Sequence, residues 1–193
     1  MRHAPKILAF AGSTRADSFN KKLVKIAGAG AEVAGAQVTY IDLRDFPMPL
    51  YDGDLESKKG IPLSARKFKK VLLAHQGLLI SSPEYNSSIS GVLKNAIDWA
   101  SRALPGEAPL ACFTAKVAGL LSASPGALGG LRGLVHVRAI LSNIKVLVLS
   151  DQIAVSKADT AFNADGSLKD IKQQKAVEKL GADLAQMLSK LNA

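Results

Sequence analysis

The sequence predicts an α/β domain of three layers, in which a five-stranded parallel sheet of order 2-1-3-4-5 is doubly wound by helices on both faces. Three observations lead there. Five short apolar runs, at 7–11, 38–41, 78–80, 117–121 and 146–149, alternate with longer segments of helical periodicity, which is the rhythm of βαβ units. Most of the runs are continuously apolar rather than alternating, as strands covered on both faces must be. Right-handed crossovers between successive parallel strands then leave few topologies open. The chosen order puts the second and fifth strands at the edges, and Thr39 among the apolar residues of the second suits a strand that is not buried on both faces.

Taken in order, the first helix is predicted over 20–34, where Leu23, Ala27, Ala31 and Ala34 recur at spacings of three and four. Pro62 opens a second helix over 62–75, at a position where its missing N–H costs nothing. Residues 90–102 repeat the pattern with Leu93, Ile97 and Ala100, a fourth helix spans 128–141, and a fifth spans 171–191 with Val177, Leu180, Leu184 and Leu188 on one stripe. The connections 42–61 and 151–170 lack strong periodicity and read as loops. No repeat or linker divides the chain, so 1–193 is expected to be one domain.

Composition narrows the function classes. Hydrophobic residues are 48% and charged residues 21%, which excludes disorder. Lys and Arg exceed Asp and Glu by 25 − 16 = 9, a surplus that favours anionic partners. The single cysteine, Cys112, allows neither an intrachain disulfide nor a thiolate metal cluster, and suits a reducing cytoplasm. The apolar stretch at 7–11 is shorter than a secretory signal core, and Ser122, Ser124 and Pro125 interrupt the best membrane candidate, so a soluble protein with no membrane partner is expected. Arg66, Lys67, Lys69 and Lys70 are the densest basic cluster, but aromatic residues are only 5%, so the cluster reads as a solvated helix face and no nucleic-acid partner is expected.

In a doubly wound sheet, ligands bind beyond the carboxyl ends of the strands, and three of those loops carry unusual residues. The first runs from Gly12 to Asn20 and places Ser13, Arg15, Ser18 and Asn20 at a helix N-terminus, a combination suited to a phosphate monoester. The alternative is that Ser18 only caps the helix and Arg15 is solvated. Neither dinucleotide-binding glycine pattern is present, and Gly28-Ala29-Gly30 falls inside a helix, where close packing explains it better. The third strand exits into Pro83, Glu84, Tyr85 and Asn86, which combine a stiff turn, an aromatic face and an amide suited to a flat heterocycle. The fourth exits into Ser122, Ser124 and Gly126, small residues that permit close approach of a ligand. Ser124 and Gly126 partly match a nucleophile elbow, but Ser122 replaces its first glycine, and His3, His75 and His136 are poorly placed to serve as the base. No catalytic residue and no metal ligand is therefore assigned.

The motifs Gly12-Ser13-x-Arg15-x-x-Ser18-x-Asn20 and Ser82-Pro83-Glu84-Tyr85-Asn86-x-Ser88-x-x-Gly91-x-Leu93-Lys94-Asn95-x-x-Asp98-Trp99, with Ser122-x-Ser124-Pro125-Gly126, resemble the NADPH-dependent FMN reductase family. The resemblance implies a flavodoxin-like fold that holds FMN non-covalently. By position, Ser13, Arg15, Ser18 and Asn20 would bind its phosphate, Pro83, Glu84, Tyr85 and Asn86 its ring, and Ser122, Ser124 and Gly126 would complete the pocket. It further implies NADPH or NADH as co-substrate and a quinone, azo, flavin or metal-oxyanion acceptor as the small-molecule partner. Such proteins form homodimers or homotetramers. A flavodoxin-type electron carrier without substantial NAD(P)H turnover is the alternative, opposed by the basic surplus and by the absence of a Thr/Ser-x-Thr-Gly-x-Thr first loop.

Overall fold

The computed structural model describes residues 4–191, so His3 lies outside it. The chain runs β1 (Lys6–Ala11), α1 (Phe19–Val33), β2 (Gln37–Ile41), a 3-10 turn (Leu43–Asp45), α2 (Gly53–Lys59), α3 (Leu63–Leu73) and β3 (Gly77–Ser81). It continues through β4 (Glu84–Tyr85), β5 (Ser88–Ile89), α4 (Gly91–Ser101), β6 (Val117–Ala123), α5 (Leu131–Asn143), β7 (Leu147–Val155), α6 (Ala158–Ala161) and α7 (Ile171–Leu191). The main sheet is parallel throughout, in the order β2-β1-β3-β6-β7, which is the expected 2-1-3-4-5 once the small β4–β5 hairpin is set aside.

Alternating side chains of the strands divide the core into two layers. Ile7, Ala9, Leu79 and Leu121 face α1 and α7, whereas Leu8, Phe10, Leu78, Ile80 and Leu120 face α3, α4 and α5. β1, β3 and β6 are buried over nearly their whole length, while β2 and β7 are largely half-buried or exposed, as edge strands should be. α1 and α7 approach so closely that a Cβ on Gly30 would lie 2.0 Å from the Glu178 carbonyl oxygen, and one on Gly181 would lie 1.7 Å from that of Ala27. This is the packing role anticipated for Gly28-Ala29-Gly30; Gly28 likewise accommodates the Tyr40 hydroxyl.

Several boundaries differ from expectation, each for a physical reason. The fifth strand was expected at 146–149 but extends to Val155, taking residues assigned to a loop. Between the pairs Ala118↔Val148 and Leu120↔Gln152, β7 advances four residues while β6 advances two, a bulge of two extra residues that preserves the alternation of faces. Arg138 stabilises it by donating to the carbonyls of Leu149 (2.7 Å) and Ser150 (3.2 Å) and to Gln152 Oε1. The fourth predicted helix begins at Leu131, not at residue 128, because Gly129 and Gly130 adopt φ of 61° and 94°. Pro62 is the N-cap of α3 rather than its first helical residue. The 42–61 connection contains α2, which buries none of its residues and so leaves no apolar periodicity to read; Asp52 caps it by accepting from the Asp54 and Leu55 amides.

Candidate functional site

The loops after β1, β3 and β6 meet at the carboxyl end of the sheet. Ser13, Arg15, Ser18, Phe19 and Asn20 from the first, Pro83, Glu84 and Tyr85 from the second, and Ala123, Ser124 and Pro125 from the third line one cleft. Its enclosed part is about 60 Å³, which accommodates a phosphoryl-sized group but not a three-ring heterocycle. A larger hollow of about 600 Å³ lies beside α1 toward β2 and shares Ser18; of its basic groups, Lys21 and Arg44 share Asp42 and Lys22 pairs with Asp17.

The first wall is tied into the core. Gly12 donates its N–H to the Ser81 carbonyl (2.9 Å), accepts from Ser90 Oγ (2.5 Å), and has no room for a Cβ, which would stand 2.9 Å from Leu93. Ser90 also caps α4, accepting from the Leu93 amide at 3.2 Å. Beyond Gly12, Ser13 is buried and accepts from the Arg15 amide at 3.2 Å. Ser18 occupies the N-cap of α1 with extended backbone (φ −91°, ψ 127°), yet its side chain makes no capping hydrogen bond. The first-turn amides of α1 are thus not satisfied by a cap, an arrangement that accepts an anion. Arg15 is exposed; the adjacent Asp17 pairs with Lys22 at 2.7 Å, leaving the Arg15 guanidinium over the Phe19 ring, 6.0 Å from its centroid.

Asn20 lines the cleft and also bonds across the ends of two strands. Its Nδ2 donates to the Ala123 carbonyl (2.9 Å), while Oδ1 accepts from the Ala123 amide (3.0 Å) and from Ser81 Oγ (2.8 Å). The buried carboxamide therefore ties α1 to the ends of β3 and β6, and holds the three loops in register.

The second wall is a hairpin rather than the loop expected at 83–90. Glu84 pairs with Ile89 and Tyr85 with Ser88, and the tip residues Asn86 and Ser87 both have positive φ (50° and 65°), the backbone of a type I′ turn. Asn86 consequently stands at the tip and does not line the cleft. Tyr85 is 51% exposed, with its ring unburied beside the cleft. The Glu84 carboxylate accepts from Arg132 Nε (2.8 Å) and Nη2 (2.5 Å) and from the Gly133 amide (3.1 Å). Burial pushes its pKa up, but these donors outweigh that and hold it below the usual carboxylate range.

The third wall corrects two further expectations. Ser122 is fully buried, its Oγ lacks a hydrogen-bond partner, and it lies against Gly130, so it packs beneath the loop instead of lining the cleft. Gly126 donates its amide to Ser124 Oγ (3.3 Å) and also stays outside the lining. Ser124 does line it, held by backbone bonds to Val155 and Ala158. Neither described histidine bonds Ser124: His136 Nδ1 contacts Ser88 Oγ at 2.9 Å, and His75 contacts Thr39 and Val71. Burial raises the Cys112 thiol pKa, which disfavours the thiolate. Of the lining residues, Phe19 was not singled out from the sequence; its signal was an aromatic between two motif positions, and it stacks on Phe162 with centroids 6.1 Å apart.

The family model for NADPH-dependent FMN reductase matches residues 5–160. An NAD(P)H-dependent FMN reductase of Pseudomonas aeruginosa is 37% identical over 174 residues, covering 90% of this chain and 89% of the relative. A quinone reductase of Escherichia coli K12 is 37% identical over 149 residues, with coverages of 75% and 73%. Among solved structures, the flavoenzyme NAD(P)H:(acceptor) oxidoreductase FerB of Paracoccus denitrificans superimposes with a TM-score of 0.79 at 28% identity, over 96% of this chain and 98% of that one. An archaeal flavodoxin shares the fold, with a TM-score of 0.62 at 12% identity over 95% and 98% of the two chains. With the match spanning all three loops of the cleft, this chain belongs to the NADPH-dependent FMN reductase family of oxidoreductases.

Proposed function

We propose that the protein, acting as one domain, binds FMN in the three-loop cleft and uses NAD(P)H to reduce a small acceptor of the quinone class. The observation that carries this reading is the first wall, where an uncapped helix N-terminus, a buried Ser18 and an unpaired Arg15 converge on a space of phosphoryl size. FMN when bound supplies the redox chemistry, taking hydride from the nicotinamide and passing electrons to the acceptor. The chain's own groups would bind and orient: the α1 amides, Ser13 and Ser18 would donate hydrogen bonds to the phosphate and Arg15 would offset its charge, while Pro83, Tyr85, Ser124 and Pro125 would flank the ring. The names of several relatives support a quinone acceptor, with flavin beside it from the FMN reductase of Pseudomonas aeruginosa.

Self-association belongs to the same proposal. Tyr85, Leu128, Leu131 and Val135 are each more than 40% exposed, and the hairpin packs on α5, so a homodimer or homotetramer would cover apolar surface next to the cleft. The lone, buried cysteine suits a cytoplasmic setting, and among the described residues no helix is long and apolar enough to cross a membrane.

The deciding experiment is an anaerobic visible spectrum of FMN-loaded, desalted protein before and after one equivalent of NADPH or NADH. Retained flavin that bleaches within turnover time is the expected result. Flavin that stays yellow would favour an electron carrier, and loss of flavin on desalting would overturn the phosphate-site reading.

A further inference from the structure

We propose that Glu84 and Arg132 form a lock that positions the β4–β5 hairpin for the flavin ring, with Glu84 acting through the hairpin rather than by touching the cofactor. This rests on the cleft being the FMN site.

The hairpin has two residues per strand and belongs to no larger sheet, so it cannot hold its own geometry and must be anchored from outside. The anchor is the start of α5. Gly130, at the N-cap, has φ 94° and no side chain to cap the helix. Glu84 supplies the missing acceptor from 49 positions away, taking the Gly133 amide on Oε2 and the Arg132 guanidinium on Oε1. The carboxylate thereby meets the positive end of the helix and a cation together. Its side chain is only 7% exposed, so little water is available to replace these donors, whereas Arg132 at 57% can turn to solvent. Gly133 lets the two elements approach, since a Cβ there would lie 3.2 Å from the Ser88 carbonyl oxygen. His136 adds a second tether to Ser88 at 2.9 Å.

Strand alternation converts this anchor into a positioning device. Adjacent residues of a strand point to opposite faces, so fixing Glu84 against α5 turns Tyr85 away from it, where its ring is exposed beside the cleft. A loosened lock would displace the ring wall, comprising Pro83 and Tyr85, and leave the phosphate wall, held by Asn20 and Ser90, in place.

The test uses full-length apoprotein, with Glu84→Gln as the main variant and Arg132→Ala and Arg132→Lys as a second pair. Amide hydrogen exchange of residues 84–90 and 13–20 is measured, together with the affinity for FMN and for riboflavin, which carries the ring without the phosphate. Glu84→Gln is expected to speed exchange at 84–90 by about tenfold with 13–20 unchanged, and to weaken FMN and riboflavin by the same factor. Arg132→Lys should recover part of what Arg132→Ala loses, because lysine restores the charge but not the fork. Unchanged exchange in the hairpin, or a loss confined to FMN, would overturn the lock; should Glu84→Gln fail to fold, the Arg132 pair decides by the same two readouts. If wild-type protein binds neither flavin, the functional reading fails, while the exchange data still judge the anchor.

Discussion

The two main walls of the cleft are built by opposite means. The first wall, proposed for the phosphate, is formed by neighbours in the chain and is stitched to the sheet by neutral hydrogen bonds in the buried core, through Asn20 and Ser90. The ring wall is a short hairpin hung on a distant helix by a charged contact with one solvent-exposed partner. Buried neutral bonds gain strength from the low local dielectric and are costly to break, whereas in the hairpin's anchor only the Arg132 partner is exposed and screened, the Glu84 carboxylate itself staying shielded from water. The first wall should therefore loosen only with the core itself, whereas the second depends on the few contacts that hold Glu84.

Breaking the stitching should have the largest effect. Asn20→Ala removes three hydrogen bonds and leaves the Ala123 backbone and Ser81 hydroxyl without partners, so a loss of about 3 kcal/mol or more in urea unfolding is expected. Asn20→Asp should lose at least as much, because it sets a buried carboxylate oxygen against the Ala123 carbonyl in place of a donor; wild-type stability in both variants would refute the stitching role. A smaller, more local effect is expected from Arg15→Ala, which touches the same wall at its exposed rim. Its unfolding midpoint should match wild type, while FMN affinity, read by fluorescence quenching, should drop by about 1.5–3 kcal/mol, or roughly tenfold to a hundredfold. Equal weakening of riboflavin would show that Arg15 does not act through the phosphate. The smallest change is expected at Ser122→Ala: deleting a buried hydroxyl that has no partner should leave stability unchanged or raise it by up to about 1 kcal/mol. A clear loss would mean that Ser122 Oγ has a partner in solution.

Legibility in the sequence follows the same division. The strand order, the two-layer core and the first loop could be read because each depends on local signals: continuous apolar runs, a 3.6-residue stripe, or polar groups clustered before a helix. Features whose determinants are separated in the chain could not. Asn20 and Glu84 could be read as cleft residues, but not the contacts that folding gives them, with Ala123 and Ser81 against the one and Arg132 beside the other. The continuation of β7 past Asp151 was hidden because a polar bulge interrupts the apolar run, and its stabiliser, Arg138, lies on a helix.

By itself the sequence determined the doubly wound α/β fold, the parallel order 2-1-3-4-5 and the three loops that form the cleft, because burial pattern and chain handedness act over a few residues at a time. Only the tertiary structure decided which polar side chains in those loops face the cleft and which are consumed in holding it together. A carboxamide or carboxylate bonds whatever donors and acceptors folding brings within about 3 Å, and for Asn20 and Glu84 those partners come from residues 123 and 132–133.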